Sequence, residues 1–102
     1  MTIKFKESYL EELSKDQTLT GKQHFPEEVV RKFKQRIFQI KNAKSTLDLR
    51  NTKSLHFEKL KKKRYENKYS IRLNETYRII FGIDKTERVE IILVEEISKH
   101  YS

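Results

Sequence analysis

The stretch YSIRLNETYRIIFGI, residues 69–83, decides the fold because its apolar side chains alternate on both sides of a short polar turn. Alternation with a period of two is typical of strands that bury one face. A turn over residues 74–76 would place the two apolar sets opposite each other, as a hairpin with one buried face requires. The predicted cross-strand pairs are Leu73 with Tyr77, Ile71 with Ile79, and Tyr69 with Phe81.

The same register places two arginines, Arg72 and Arg78, directly opposite each other on the other face of the hairpin. A like-charge pair in this position is destabilising by about 0.2–1 kcal/mol. An anion between the two side chains would reverse that sign, and the planar donor fork of arginine fits phosphate. The alternative is that the two side chains splay into water or pair with Glu90 or Glu96.

Four further elements flank the hairpin. They are a strand over 2–6, a helix over 8–15, a long helix from Pro26 to about residue 43, and a strand over 89–94 that follows a turn at 84–87. The long helix has an apolar stripe at three- and four-residue steps, and Arg36 is among the polar residues expected to point away from it. The stripe consists of Val30, Phe33, Ile37 and Ile40.

This order of elements predicts a single α+β domain over residues 1–102. The N-terminal strand and the two helices would pack on one face of an antiparallel sheet. The opposite face of the sheet would be open and basic. Residues 45–63 show no clear period, and the run Lys61-Lys62-Lys63-Arg64 at their end is expected to be exposed by a loop or a ragged strand end.

The charge balance indicates a polyanionic partner. The chain has 23 Lys and Arg against 15 Asp and Glu, a formal net charge of +8. Such an excess on a small domain attracts polyanions over long range, and nucleic acid is the commonest of them. An acidic membrane surface is disfavoured because no long basic amphipathic helix is evident. Charge that serves solubility alone is the remaining alternative.

Several classes of protein are excluded or disfavoured by what the chain lacks. It has no cysteine, which excludes disulfides and cysteine metal sites, and its 3 histidines are too scattered for a zinc site. We expect no metal and no cofactor. The N-terminal residues lack a secretory hydrophobic segment, and no apolar run approaches the roughly 20 residues of a membrane span. A cytoplasmic location without a membrane partner is therefore expected.

Three motifs in the second half of the chain occur in an order typical of one family. They are LHFEKLK at 55–61, YSIRLNETYRIIF at 69–81, and KHYS at 99–102. Together they resemble the RelE superfamily of bacterial toxins, especially its HigB and YoeB branches. The resemblance implies a RelE-like fold and a toxin of a type II toxin–antitoxin system. It implies an mRNA interferase, an endoribonuclease that inhibits translation by cutting mRNA on the ribosome without a metal.

The resemblance also implies partners and roles for individual residues. The partners would be mRNA, the ribosome and a cognate antitoxin protein that carries a DNA-binding domain. Cleavage through the ribose 2′-hydroxyl needs a base, an acid and positive charge at the phosphate. Glu58 would be the base, Arg78 would stabilise the charge, and His100 would be the acid. The implied substrate-binding residues are Lys61, Arg72 and Tyr101, together with the basic run Lys62, Lys63 and Arg64. No role is carried onto His56.

Each of these residues also has an ordinary structural interpretation. Glu58 could be a surface ion-pair partner of Lys59 or Lys61, the basic run a solvated face, and His100 a frayed terminal residue. Two other functions therefore stay open. One is a ParE-like toxin that binds a topoisomerase and cleaves nothing. The other is a simple nucleic-acid-binding module, whose affinity would fall steeply with salt and which would form no product.

Overall fold

The computed structural model describes residues 1–15 and 25–99. Its helices are α1 (Ser8–Ser14), α2 (Glu27–Asn42) and α3 (Thr46–Asn51), and its strands are β1 (Thr2–Phe5), β2 (Glu58–Lys59), β3 (Lys68–Arg72), β4 (Tyr77–Thr86) and β5 (Val89–Lys99). Two single turns of 3₁₀ helix cover Lys53–Leu55 and Lys63–Tyr65. Residues 16–24, a polar stretch whose sequence predicts a loop, and the predicted site residues His100 and Tyr101 lie outside the described residues.

The strands of the described chain form one sheet in the order β1-β5-β4-β3-β2. β3, β4 and β5 pair antiparallel in sequence order, as predicted, and the short strand β2, which was not predicted, pairs antiparallel with β3. β1 joins the edge of the same sheet and runs parallel to β5, with Thr2 opposite Ile91. The N-terminal strand is thus a member of the sheet, and the helices alone cover one of its faces.

The predicted hairpin register is confirmed. Tyr69 lies opposite Phe81, Ile71 opposite Ile79, and Arg72 opposite Arg78. The backbone N–H of Leu73 donates to the carbonyl of Tyr77 at 2.9 Å. The turn is held by the side chain of Asn74, whose Oδ1 accepts hydrogen bonds from the N–H groups of Thr76 and Tyr77 at 2.8 Å each. An asparagine that bonds the backbone two and three residues on is a common way to close such a turn.

The main core lies between the sheet and the helices, and the predicted stripe of α2 is buried in it. Acidic residues at the start of α2 and Lys41 near its end match the helix dipole. The largest fully buried side chains of this core include Phe33, Ile37, Ile40, Ile71, Ile79 and Phe81. Each such side chain contributes roughly 1.5–3 kcal/mol through removal of apolar surface from water. This core fixes β3 and β4, and therefore the two arginines on their other face.

The prediction that Arg36 points away from the core is wrong. The side chain is 9% exposed, and all three of its nitrogens donate hydrogen bonds. Nε donates to the carbonyl of Arg72 at 3.1 Å, Nη2 to the carbonyl of Ser54 at 3.2 Å, and Nη1 to Oε1 of Gln39 at 2.8 Å. Burial lowers the pKa of the Arg36 guanidinium. Because its partners include backbone carbonyls from distant segments, the helical period alone does not reveal them.

The second hairpin also differs from its prediction. The turn expected at 84–87 is shorter, because β4 continues through Thr86 and β5 begins at Val89. The turn residues are Glu87 and Arg88, and Glu87 has a left-handed backbone with φ of 56°. β5 also extends to Lys99, five residues beyond the predicted end at residue 94. The end of β4 is exposed, so apolar alternation does not mark it. Ile97 of β5 is buried in the core, but the ladder skips Glu95, which breaks the alternation between Val94 and Ile97.

Helix α3 forms in the segment for which no clear period was found. Its first residue, Thr46, is bound from the sheet by Glu90: the backbone N–H donates to Oε1 at 3.0 Å and Oγ1 donates to Oε2 at 2.7 Å. The backbone bond first, and then the hydroxyl bond, lower the pKa of the Glu90 carboxyl. Glu90 is therefore an anchor of α3 on β5, and the alternative that it pairs with an arginine of the hairpin is wrong.

None of the helices in the described part of the chain is both long enough and apolar enough to cross a membrane.

Candidate functional site

Three of the predicted site residues, Glu58, Arg72 and Arg78, lie together on the second face, the face of the sheet opposite α2. β3 supplies Arg72 and β4 supplies Arg78, and the ladder places them side by side. The two-residue strand β2 pairs with β3, with Glu58 opposite Ser70, so that Glu58 joins the same face. Nη2 of Arg78 donates to Oε2 of Glu58 at 3.0 Å. The structure thus brings a carboxylate and two guanidinium groups together.

Arg78 and Glu58 have very different exposure. The Arg78 side chain is 11% exposed, whereas that of Glu58 is 57% exposed. Nη1 of Arg78 is buried and has no hydrogen-bond partner in the described structure. A buried guanidinium normally uses its donors, because each unmade bond costs about 1–3 kcal/mol. The site therefore holds a buried positive charge that is incompletely compensated, next to an exposed carboxylate.

His56 lies at this site, although sequence reasoning assigned it no role. It follows the 3₁₀ turn Lys53–Leu55 and has a left-handed backbone with φ of 48°. Its Nε2 is 3.4 Å from Nη1 of Arg72. The only sequence signal was its position two residues before Glu58, the spacing that puts two strand residues on one face. Because His56 precedes β2 in irregular backbone, that spacing could not be relied on.

Lys61 and the basic run that follows it, Lys62 to Arg64, are exposed beside this site. The path of the run is set by Tyr65, whose hydroxyl donates to Oε1 of Glu96 on β5 at 2.9 Å. Nη2 of Arg64 donates to the same hydroxyl at 3.2 Å, and its guanidinium carbon lies 4.7 Å from the centroid of the Tyr65 ring. The run is therefore anchored across the sheet. Glu96 is bound to Tyr65, which makes the alternative pairing of Glu96 with Arg72 or Arg78 wrong.

Part of the second face is covered by side chains of the sheet itself. Ile80 and Ser70 on this face are fully buried. Lys68 of β3 forms an ion pair with Glu95 of β5 by crossing β4 at Gly82, where a Cβ atom would come within 3.3 Å of the lysine Nζ. The absence of a side chain at Gly82 is what leaves the lysine room to pass. These contacts cover the middle of the sheet. Glu58, Arg72 and His56 lie to one side of them, toward the sheet edge formed by β2.

The structure brings together only part of the predicted site. Glu58, Arg72 and Arg78 lie together, and Lys61 and the basic run are exposed beside them. The proposed acid His100 and the proposed Tyr101 are outside the described residues, so their roles stay predictions. Among residues 1–15 and 25–99, no group of three or more His, Asp or Glu side chains is arranged to hold a metal ion.

The fold and this surface define the class of protein. A solved structure described as a YoeB/ParE toxin from Agrobacterium tumefaciens matches with a TM-score of 0.58 and 17% identity, over 99% of this chain and 100% of that one. The fold is thus RelE-like. No curated protein sequence matches significantly.

The family follows from the sequence. Residues 3–95 match the family model of HigB-like toxins, described as RelE-like toxins of the type II toxin–antitoxin system HigB. The chain belongs to this family, and the resemblance predicted from its motifs is confirmed. The match includes Glu58, Arg72 and Arg78 and ends before His100.

Proposed function

We propose that this toxin is a ribosome-dependent endoribonuclease that cuts mRNA by metal-free attack of a ribose 2′-hydroxyl on the adjacent phosphate. The observation that carries the proposal is the 3.0 Å contact between Glu58 and the buried Arg78. It places a group that can accept a proton beside a fixed charge that can hold a phosphate. Both are needed at one point for this reaction.

The site residues have the following roles in the proposal. Arg78 binds the scissile phosphate and stabilises the charge that accumulates on it, and Arg72 and Lys61 add a second and a third cation. The phosphate replaces Glu58 on Arg78, and the released carboxylate of Glu58 accepts the proton of the 2′-hydroxyl. His100 donates a proton to the departing 5′-oxygen, and Tyr101 orients the substrate.

The second face as a whole fits a nucleic-acid substrate. The exposed run Lys62, Lys63 and Arg64 would contact backbone phosphates on either side of the cleaved bond, and this contact would weaken with added salt. The cellular partners in this proposal are the ribosome with its mRNA, and an antitoxin that also carries a DNA-binding domain. The reaction takes place in the cytoplasm.

The test is expression of the wild type, Glu58→Gln, Arg78→Ala and His100→Ala in bacteria, with primer extension on an abundant mRNA. We expect new 5′ ends within codons for the wild type, and their loss in each variant by at least about 100-fold. Arg88→Ala is the matched control. It removes an exposed arginine from the β4–β5 turn, about 30 Å along β4 from Arg78, and should cut as the wild type does.

Two results would contradict the proposal. Growth arrest with intact mRNA would favour a topoisomerase-binding toxin of the ParE kind. RNA binding without a product and without growth arrest would favour a simple binding module. Cleavage that persists in His100→Ala but is lost in Arg78→Ala would keep the nuclease and remove His100 as its acid.

A further inference from the structure

We propose that His56 is a positioning residue, which holds the guanidinium of Arg72 beside Arg78 so that the two arginines can share one phosphate. This inference rests on the proposed function, since it concerns the phosphate site of the same reaction. It adds a residue that contributes through Arg72 rather than through proton transfer of its own.

The contact between the two side chains fixes which form of the imidazole is present. An arginine stays protonated and can only donate, so Nε2 of His56 must accept the hydrogen bond from Nη1 of Arg72. In this hydrogen bond the imidazole proton is on Nδ1. A hydrogen-bond acceptor on the outer side of Arg72 is what the position requires, because the side chain on its other side is the like-charged Arg78.

The segments that carry His56 and Arg72 are both bound by the buried side chain of Arg36. Arg36 donates Nε to the carbonyl of Arg72 and Nη2 to the carbonyl of Ser54, two residues before His56. Leu55 is anchored in the core at 1% exposure. One buried side chain thus sets the distance between the backbone of His56 and that of Arg72, and the imidazole does not depend on a flexible loop for its place.

The backbone of His56 indicates that the side chain itself matters. Its φ of 48°, at the end of the 3₁₀ turn Lys53–Leu55, is in the left-handed region, which residues with a Cβ adopt rarely and which histidine and asparagine adopt more often than most. An exposed imidazole at such a position adds no core packing. Strained residues of this kind are concentrated at functional sites, where a specific side chain is needed at the cost of stability.

The test is a double-mutant cycle on RNA binding by the full-length chain. The probe is a labelled 2′-O-methyl oligoribonucleotide, which binds but has no free 2′-hydroxyl to react, and binding is followed by fluorescence anisotropy. His56→Asn should weaken binding by about two- to tenfold, as expected for one lost hydrogen bond. In the Arg72→Ala background the same substitution should cause no further loss.

Matched substitutions separate positioning from folding. The Oε1 of a glutamine reaches the place of Nε2, whereas the shorter asparagine does not, so His56→Gln should bind more tightly than His56→Asn. Because asparagine tolerates the left-handed backbone, His56→Asn should melt no lower than the wild type. Primer extension on the same variants should show the same order as binding.

Several outcomes would overturn the inference. They are an unchanged affinity of His56→Asn, an equal loss in the Arg72→Ala background, a glutamine variant no better than asparagine, or a melting temperature that falls with the affinity. A wild type with no measurable affinity for the oligonucleotide would overturn it as well. If the wild type binds but cuts no mRNA, the nuclease proposal fails, while the cycle still decides whether His56 acts through Arg72.

Discussion

Replacement of Arg78 by methionine should make the protein more stable and inactive at the same time. The buried Nη1 of Arg78 has no partner, which costs about 1–3 kcal/mol. The opposed charge of Arg72 adds about 0.2–1 kcal/mol of repulsion. The ion pair with the exposed Glu58 stabilises the folded protein by at most about 1 kcal/mol, because water screens it. Methionine keeps the apolar part of the side chain and removes these charge effects.

We therefore expect Arg78→Met to raise the free energy of unfolding by about 1–2 kcal/mol, which is an increase in melting temperature of about 5–10 °C for a domain of this size. Cleavage of mRNA should fall at least about 100-fold. Thermal melting followed by circular dichroism and primer extension measure the two effects on the same preparation.

The matched control is Arg36→Met, at an arginine that is as deeply buried as Arg78. Its three nitrogens are all bonded, and its loss would leave the carbonyls of Ser54 and Arg72 without this donor. We expect this variant to lose about 1–3 kcal/mol of stability. A melting temperature of Arg78→Met below that of the wild type, or a shift in the same direction for both substitutions, would show that the charge of Arg78 does not destabilise the fold.

Two further predictions concern stability away from the site. The pKa of Glu90 is lowered in the folded state, so its bond to Thr46 stabilises the protein fully above its ordinary pKa of 4.5 and is lost as the pH falls through the folded-state value. Glu90→Gln should cost about 1 kcal/mol at neutral pH, and melting curves of the two proteins should converge in acid; a constant difference at all pH values would be evidence against it. Glu87→Gly should stabilise the protein by about 1 kcal/mol in denaturant titration, since glycine is favoured at a left-handed turn position, and a lower unfolding midpoint would exclude this explanation.

The parts of the fold that follow from local pattern were predictable. The register of β3 and β4 depends on apolar alternation and on the length of one turn, and both are visible in residues 69–83. The opposed arginines follow directly from that register. The stripe of α2 likewise depends only on the helical period. In each case the information lies within a few residues of the structure that it determines.

The parts that depend on distant partners were not predictable in the same way. Arg36 is buried because carbonyls at residues 54 and 72 accept its bonds, and no helical pattern contains them. α3 is anchored by Glu90, which lies far along the chain from Thr46. His56 itself has a left-handed backbone and lies in an irregular segment, which has no period from which its place could be predicted. Glu58 was found through the family resemblance, since on pattern alone it is one carboxylate in a basic segment.

The parallel pairing of β1 with β5 has a consequence for the order in which the protein folds. β3, β4 and β5 are joined by short turns and can pair with near neighbours, whereas Thr2 must find Ile91. Contacts between distant residues form slowly because long loops must close first. We expect the β3–β5 meander to form early and β1 to dock last, with folding rates more sensitive to Ile79→Val than to Ile3→Val. Arg72 and Arg78 would then be set side by side by the earliest part of the molecule to fold.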